Sequence, residues 1–201
     1  MEDHQDQVIE FWRWFQTIAN DLAANFENER LVAELDARVS QLGDVLWEIG
    51  PGKAEENALI ITPDGSRDWV PVTQHIVALA PRVAGWEFHS ARPPRDWDMQ
   101  FSIEGADGTH LDIDARPWRY VLFKYPDNTF DIVIEERNLH SVSDDDRYAA
   151  AVVVLDGALG EKRRLALLGG IEAVETLSVE CAHKANPIHH LAQHLNSLEA
   201  N

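Results

Sequence analysis

The hydrophobic period of this chain changes at Gly43, and that change limits what it can fold into. Up to Gly43 the apolar residues recur every three or four positions; directly after it, from Asp44 to Thr62, they alternate or run in short blocks. Val45, Trp47 and Ile49 alternate with Leu46, Glu48 and Gly50. A period of two is that of a strand. Gly50, Pro51 and Gly52 end it, because proline has no N–H for a ladder and glycine permits positive φ. A second apolar run, Ala58 to Thr62, is closed by Pro63, Asp64 and Gly65. Two such runs around a Gly/Pro loop predict a hairpin with a long connection, and Trp47 is expected to anchor its core side. The glycines also suggest a phosphate loop. There is no G-x-G-x-x-G, no Lys-Ser/Thr pair behind the last glycine and no helix directly after it, so the loop reads as a turn.

Two helices precede the switch. Val8, Phe11, Trp12, Phe15, Ile18, Ala19, Leu22 and Phe26 form one stripe, widened by Trp14, on a helix over about residues 5–25. A face this aromatic has to be covered, by the domain's own sheet, by a partner helix or by a second copy in a homodimer. Leu31, Val32, Leu35, Val39 and Leu42 mark a second helix, with Gly43 suited to its C′ position.

After the first hairpin, Asp68 can cap a third helix that carries Pro71 in its first turn and stops at Pro81. Residues 83–89 read as a strand. Short strands are expected at 99–103 and 110–114 around a Gly105–Gly108 turn. The clearest hairpin joins 120–125 to 130–134 through Pro126, Asp127, Asn128 and Thr129. Ser143 caps a fourth helix that runs to Gly160, and Asp144, Asp145 and Asp146 suit its dipole. Arg163 to Leu168 reads as a last strand, extended by Ile171 to Val174. Pro187 opens a final helix with Ile188, Leu191, Leu195 and Leu198 on one face.

The order strand, strand, helix, strand thus occurs twice, over 45–89 and over 119–168. The expected fold is α+β: an N-terminal helical pair (1–43), a first ββαβ unit (44–97), a second with an extra hairpin (98–176), and a C-terminal helix (177–201), with mostly antiparallel sheet. All four segments are taken as one compact domain.

The net charge of −18 argues against nucleic acid, whose phosphates require clustered Lys and Arg, and against an anionic membrane surface. It can steer a basic partner. One cysteine, Cys181, excludes an intramolecular disulfide. The acidic N-terminus does not read as a signal peptide, so a reducing, cytoplasmic setting is expected.

Three groups of side chains could carry chemistry. His110, Asp112 and Asp114 alternate on one strand and share a face, as ligands of a metal or as an acid/base set would; a merely polar strand face has the same pattern. Trp86, His89, Arg92, Arg95 and Trp97 crowd a strand end and loop, a mixture of cation and aromatic typical of binding hot spots. His190 and His194 stand four apart on the last helix, opposite its apolar stripe, and read as solvated. No nucleophile elbow surrounds a serine, and no cofactor is indicated.

Trp47 to Gly52 (W-E-I-G-P-G), Ala80-Pro81, Gly85 to Phe88 (G-W-E-F) and the L-D-x-x-L-G-E run from Leu155 to Glu161 resemble an uncharacterised bacterial protein family of about this length. The resemblance spans most of residues 10–165 and implies no reaction. Two functions are expected from the residues. One is a non-enzymatic protein-interaction module, in the form of an immunity-type inhibitor of a basic partner. The other is a small metal-dependent hydrolase using the His110/Asp112/Asp114 face.

Overall fold

The structure is a computed structural model that describes residues 2–199. It is an α+β protein with mostly antiparallel strand pairing. Where one compact domain is expected, the contacts divide the chain into two compact units, Met1–Arg92 and Pro93–Asn201.

In the first unit, α1 (Glu2–Ala24) and α2 (Glu29–Val39) precede β1 (Leu46–Pro51), β2 (Asn57–Thr62), α3 (Val70–Ala78) and β3 (Trp86–His89). Asn28 caps α2 by accepting from the Leu31 N–H, with Glu29 in the first turn and Arg38 in the last to complement the dipole. Strand β1 pairs antiparallel with β2, and β2 pairs parallel with β3. The register sets Leu59 beside Phe88 and Asn57 beside Trp86. One face of the sheet therefore carries Leu59, Ile61, Trp86 and Phe88, and the α1 stripe covers it. Phe15 meets Trp86 edge-on at 5.1 Å between ring centroids, and Trp12 meets Phe88 at 4.6 Å. The buried indole N–H groups are satisfied by backbone, Trp12 donating to Ile76 O and Trp86 to Ala19 O. The unit's own sheet thus seals the aromatic helix, with no partner helix required.

Two local expectations change. Gly43 lies beyond the Ser40 C-cap, at φ +145°, and what requires glycine there is the Trp69 ring, which stands 2.5 Å from where a Cβ would be. Trp47 is only half-buried and donates to Asp36 Oδ1, so Trp12 and Trp86 anchor this core instead.

The second unit begins with a hairpin, β4 (Gln100–Glu104) and β5 (His110–Asp114), then β6 (Arg119–Lys124), β7 (Phe130–Glu135), α4 (Asp144–Leu159), α5 (Glu161–Leu167) and β8 (Leu168–Val174). A short α6 (Val179–Ala182), β9 (Asn186–Pro187) and α7 (Leu191–Glu199) follow. The four-stranded sheet runs β8-β7-β6-β9. Strands β6 and β7 are antiparallel and β7 and β8 parallel, so the ββαβ topology of the first unit recurs here. Tyr120, Phe130, Ile132 and Ile134 from the sheet pack with Ala150, Val154 and Leu155 of α4 and Leu191 and Leu195 of α7.

Arg163 to Leu167, expected as strand, is helix. Gly160 at φ +77° breaks the path between α4 and α5, and the next turn points Arg164 inward to Asp156, at 2.5 Å from Nε to Oδ1. A four-residue apolar run, Leu165 to Leu168, does not distinguish helix from strand by period, and here the buried ion pair decides. The L-D-x-x-L-G-E motif accordingly builds this junction: Asp156 and Glu161 are both buried. Pro187 ends β9 instead of opening a helix; a 3-10 turn, Ile188–His190, comes between it and α7.

Candidate functional site

The β4–β5 hairpin carries an alternating pattern into space. Phe101, Ile103, Leu111 and Ile113 form its apolar face, of which Phe101, Ile103 and Ile113 pack into the second unit's core. Gln100, Ser102, Glu104, His110, Asp112 and Asp114 share the polar face, paired Gln100 with Asp114, Ser102 with Asp112 and Glu104 with His110. Its turn closes through Gly105 N to Thr109 O and the Thr109 N–H to Asp107 Oδ1, with Gly108 at φ +80°. Asp146 holds the tip from the first turn of α4. It accepts from the Ala106 N–H and, at its other oxygen, from the Ser143 hydroxyl.

From Asp98 to Asp114 there is no lysine or arginine, against carboxylates at Asp98, Glu104, Asp107, Asp112 and Asp114. Several of these are held charged. The Thr109 side chain and N–H hold Asp107 below the usual carboxylate range. The Ser102 hydroxyl, donating at 2.6 Å, does the same for Asp112, with His110 Nε2 adding to it from 3.2 Å. Arg116 grips Asp114 through two bonds of 2.7 and 2.6 Å and lowers it. An open depression of about 440 Å³ lies here, lined by Gln100, Phe101, Ser102, Asp112, Ile113 and Asp114.

His110, Asp112 and Asp114 do share a face. Yet Asp114 is turned to Arg116, while His110 and Asp112 pair with each other. Among the described residues no group of three His, Cys, Asp or Glu side chains converges on a point where a metal ion could sit.

Trp86, His89, Arg92, Arg95 and Trp97 divide between the units. In the first, Trp86 is 4% exposed and belongs to the core. His89 Nε2 lies 2.8 Å from Glu87, and Arg92 donates to Glu48 and Asp64. In the second, the Arg95 guanidinium lies over the Trp97 ring, which lies against Gly157 of α4 and contacts Phe101. His194, expected in solvent, is half-buried, with Nδ1 2.9 Å from the Tyr120 hydroxyl. Burial pushes that hydroxyl up to about 12.

Sequence reasoning missed the role of Glu87. Its carboxylate accepts three successive N–H groups, from Lys53, Ala54 and Glu55, in the loop read as a plain turn. The loop does cradle an anion, and the anion is the protein's own. These bonds, the Lys53 N–H first and then His89, bring Glu87 down to about 2. A partner more than thirty residues away leaves no local signal. No family model, curated protein or solved structure matches the chain.

Proposed function

We propose that the protein is a non-enzymatic interaction module whose acidic hairpin, Asp98 to Asp114, engages a basic protein partner. The observation that carries this reading is the composition and exposure of the hairpin's polar face and turn: five carboxylates from Asp98 to Asp114 and no lysine or arginine. The arginines elsewhere support it. Arg92, Arg119, Arg147, Arg163 and Arg164 are each paired with a carboxylate, leaving the negative excess uncompensated. An immunity-type inhibitor, which shields the basic cleft of a toxin, is the form of this reading that fits the chain's size and charge.

The test uses cytochrome c as a basic folded probe. Binding is expected at low salt and should weaken on the order of tenfold between about 50 and 300 mM salt. The combined variant Asp98→Asn, Glu104→Gln, Asp107→Asn, Asp112→Asn should lose most of it. The same charge removed from the exposed side of α1 (Asp6→Asn, Glu10→Gln, Asp21→Asn) with Glu27→Gln should lose little. Equal losses in the two variants, or no binding at low salt, would refute the assignment to the hairpin.

A further inference from the structure

We infer that the outer edge of β4 is a docking rail for an extended basic segment, which joins the hairpin as a third strand. This rests on the acidic-module reading and adds the mode of contact.

The backbone geometry carries it. In an antiparallel pair, hydrogen-bonded and non-hydrogen-bonded positions alternate, and residues at the latter turn their N–H and C=O groups outward. Ala115 N donates to Met99 O and Gly105 N to Thr109 O. Positions 99 and 105 are therefore hydrogen-bonded to β5, and by alternation so are 101 and 103. Gln100, Ser102 and Glu104 face their backbone groups away from β5. The Gln100 N–H is taken by Asp98 Oδ1. Among the described residues no other strand pairs with β4, and the N–H and C=O groups of Ser102 and Glu104 meet no protein partner.

The two edges of the hairpin are not equivalent. On β5 the Asp114 carbonyl accepts from Asn138 Nδ2, and of its two apolar residues Ile113 is buried and Leu111 half-buried. On β4, Phe101 and Ile103 are only half-buried. An added strand would cover their exposed flank with its own apolar side chains. On the opposite face its side chains would stand beside Ser102 and Glu104, where a cross-strand neighbour of charge opposite to Glu104 is favoured. The segment that fits alternates Lys or Arg with aliphatic residues. A second copy of this chain lacks that pattern, because its β4 carries Glu104 and no Lys or Arg.

The probe is an eight-residue peptide alternating Lys and Val, titrated into the full chain while backbone amide hydrogen exchange is followed. Protection of the Ser102 and Glu104 amides is expected, at least tenfold over the free protein. The same peptide with every backbone nitrogen methylated keeps its charge but loses its donors, and should bind at least tenfold more weakly without protecting either amide. Equal binding of both peptides would overturn the rail and leave the acidic reading standing. So would binding of cytochrome c with no binding of the peptide. Protection at His110 and Asp112 in place of Ser102 and Glu104 would overturn the assignment to β4. Failure of both cytochrome c and the peptide would sink the rail and the acidic reading together.

Discussion

Glu87 in the first unit is part-buried and Glu136 in the second fully buried, and their surroundings pull their acidities apart. Glu87 accepts three backbone N–H groups beside His89 and is brought down to about 2. Glu136, fully buried just after β7, receives one bond from Arg147, and its Oε1 has no hydrogen-bond partner. Burial pushes it up to about 8 against the pull of that guanidinium. The direction follows from which outweighs the other, burial at Glu136 or the donors that meet the charged form at Glu87. The pH dependences are opposite in sign. Glu87 is lowered in the folded state, so its stabilisation is complete above about 4.5 and is lost as pH falls toward 2. Glu136 is raised, so its contribution is complete below about 4.5 and is lost as pH rises through about 8.

The cores differ in the same sense, rings in the first unit and rings with buried arginine pairs in the second. The largest expected effect is on the rings. Trp12→Ala should cost about 4 kcal/mol in denaturant unfolding. Arg147→Met should cost about 3 kcal/mol at pH 9, where the wild-type ion pair is formed and the variant has to keep Glu136 protonated, and clearly less at pH 5, where Glu136 is protonated in both. A loss independent of pH would break the comparison. Glu87→Gln should cost about 2 kcal/mol at neutral pH, by weakening charge-assisted bonds to the 53–55 loop. Its deficit should shrink as pH falls from about 4.5 toward 2, where the folded wild type is itself protonated. The smallest effect concerns Gly157, where a Cβ would meet the Trp97 ring at 2.5 Å. Gly157→Ala should destabilise by about 1 kcal/mol, reversing the gain normal for this change within a helix.

Much of the framework was legible in the sequence, because period and turn chemistry act locally. The aromatic stripe from Val8 to Leu22, the Ser143 cap and the hairpin around Pro126 to Thr129 are fixed by neighbours a few residues away. The misreading at Arg163 to Leu167 came where a short apolar run met a tertiary ion pair. The candidate site was legible in part. The shared face of His110, Asp112 and Asp114 follows from strand alternation. Which partners they take, and which edge stays open, depends on Arg116, Ser102 and Asn138 closing around them in space. Trp86 to Trp97 looked like one cluster because proximity in sequence hid the unit boundary after Arg92.

The raised acidities of Asp107, Asp112 and Asp114 bear on how the molecule behaves near its isoelectric point, close to 4.7. As pH falls toward that value, ordinary carboxylates take up protons before these do. The hairpin then holds a larger share of the remaining negative charge than its share of the carboxylates. Solubility under mildly acidic conditions depends on where the last charges sit, and attraction between copies would be directional, toward the carboxylates that keep their charge.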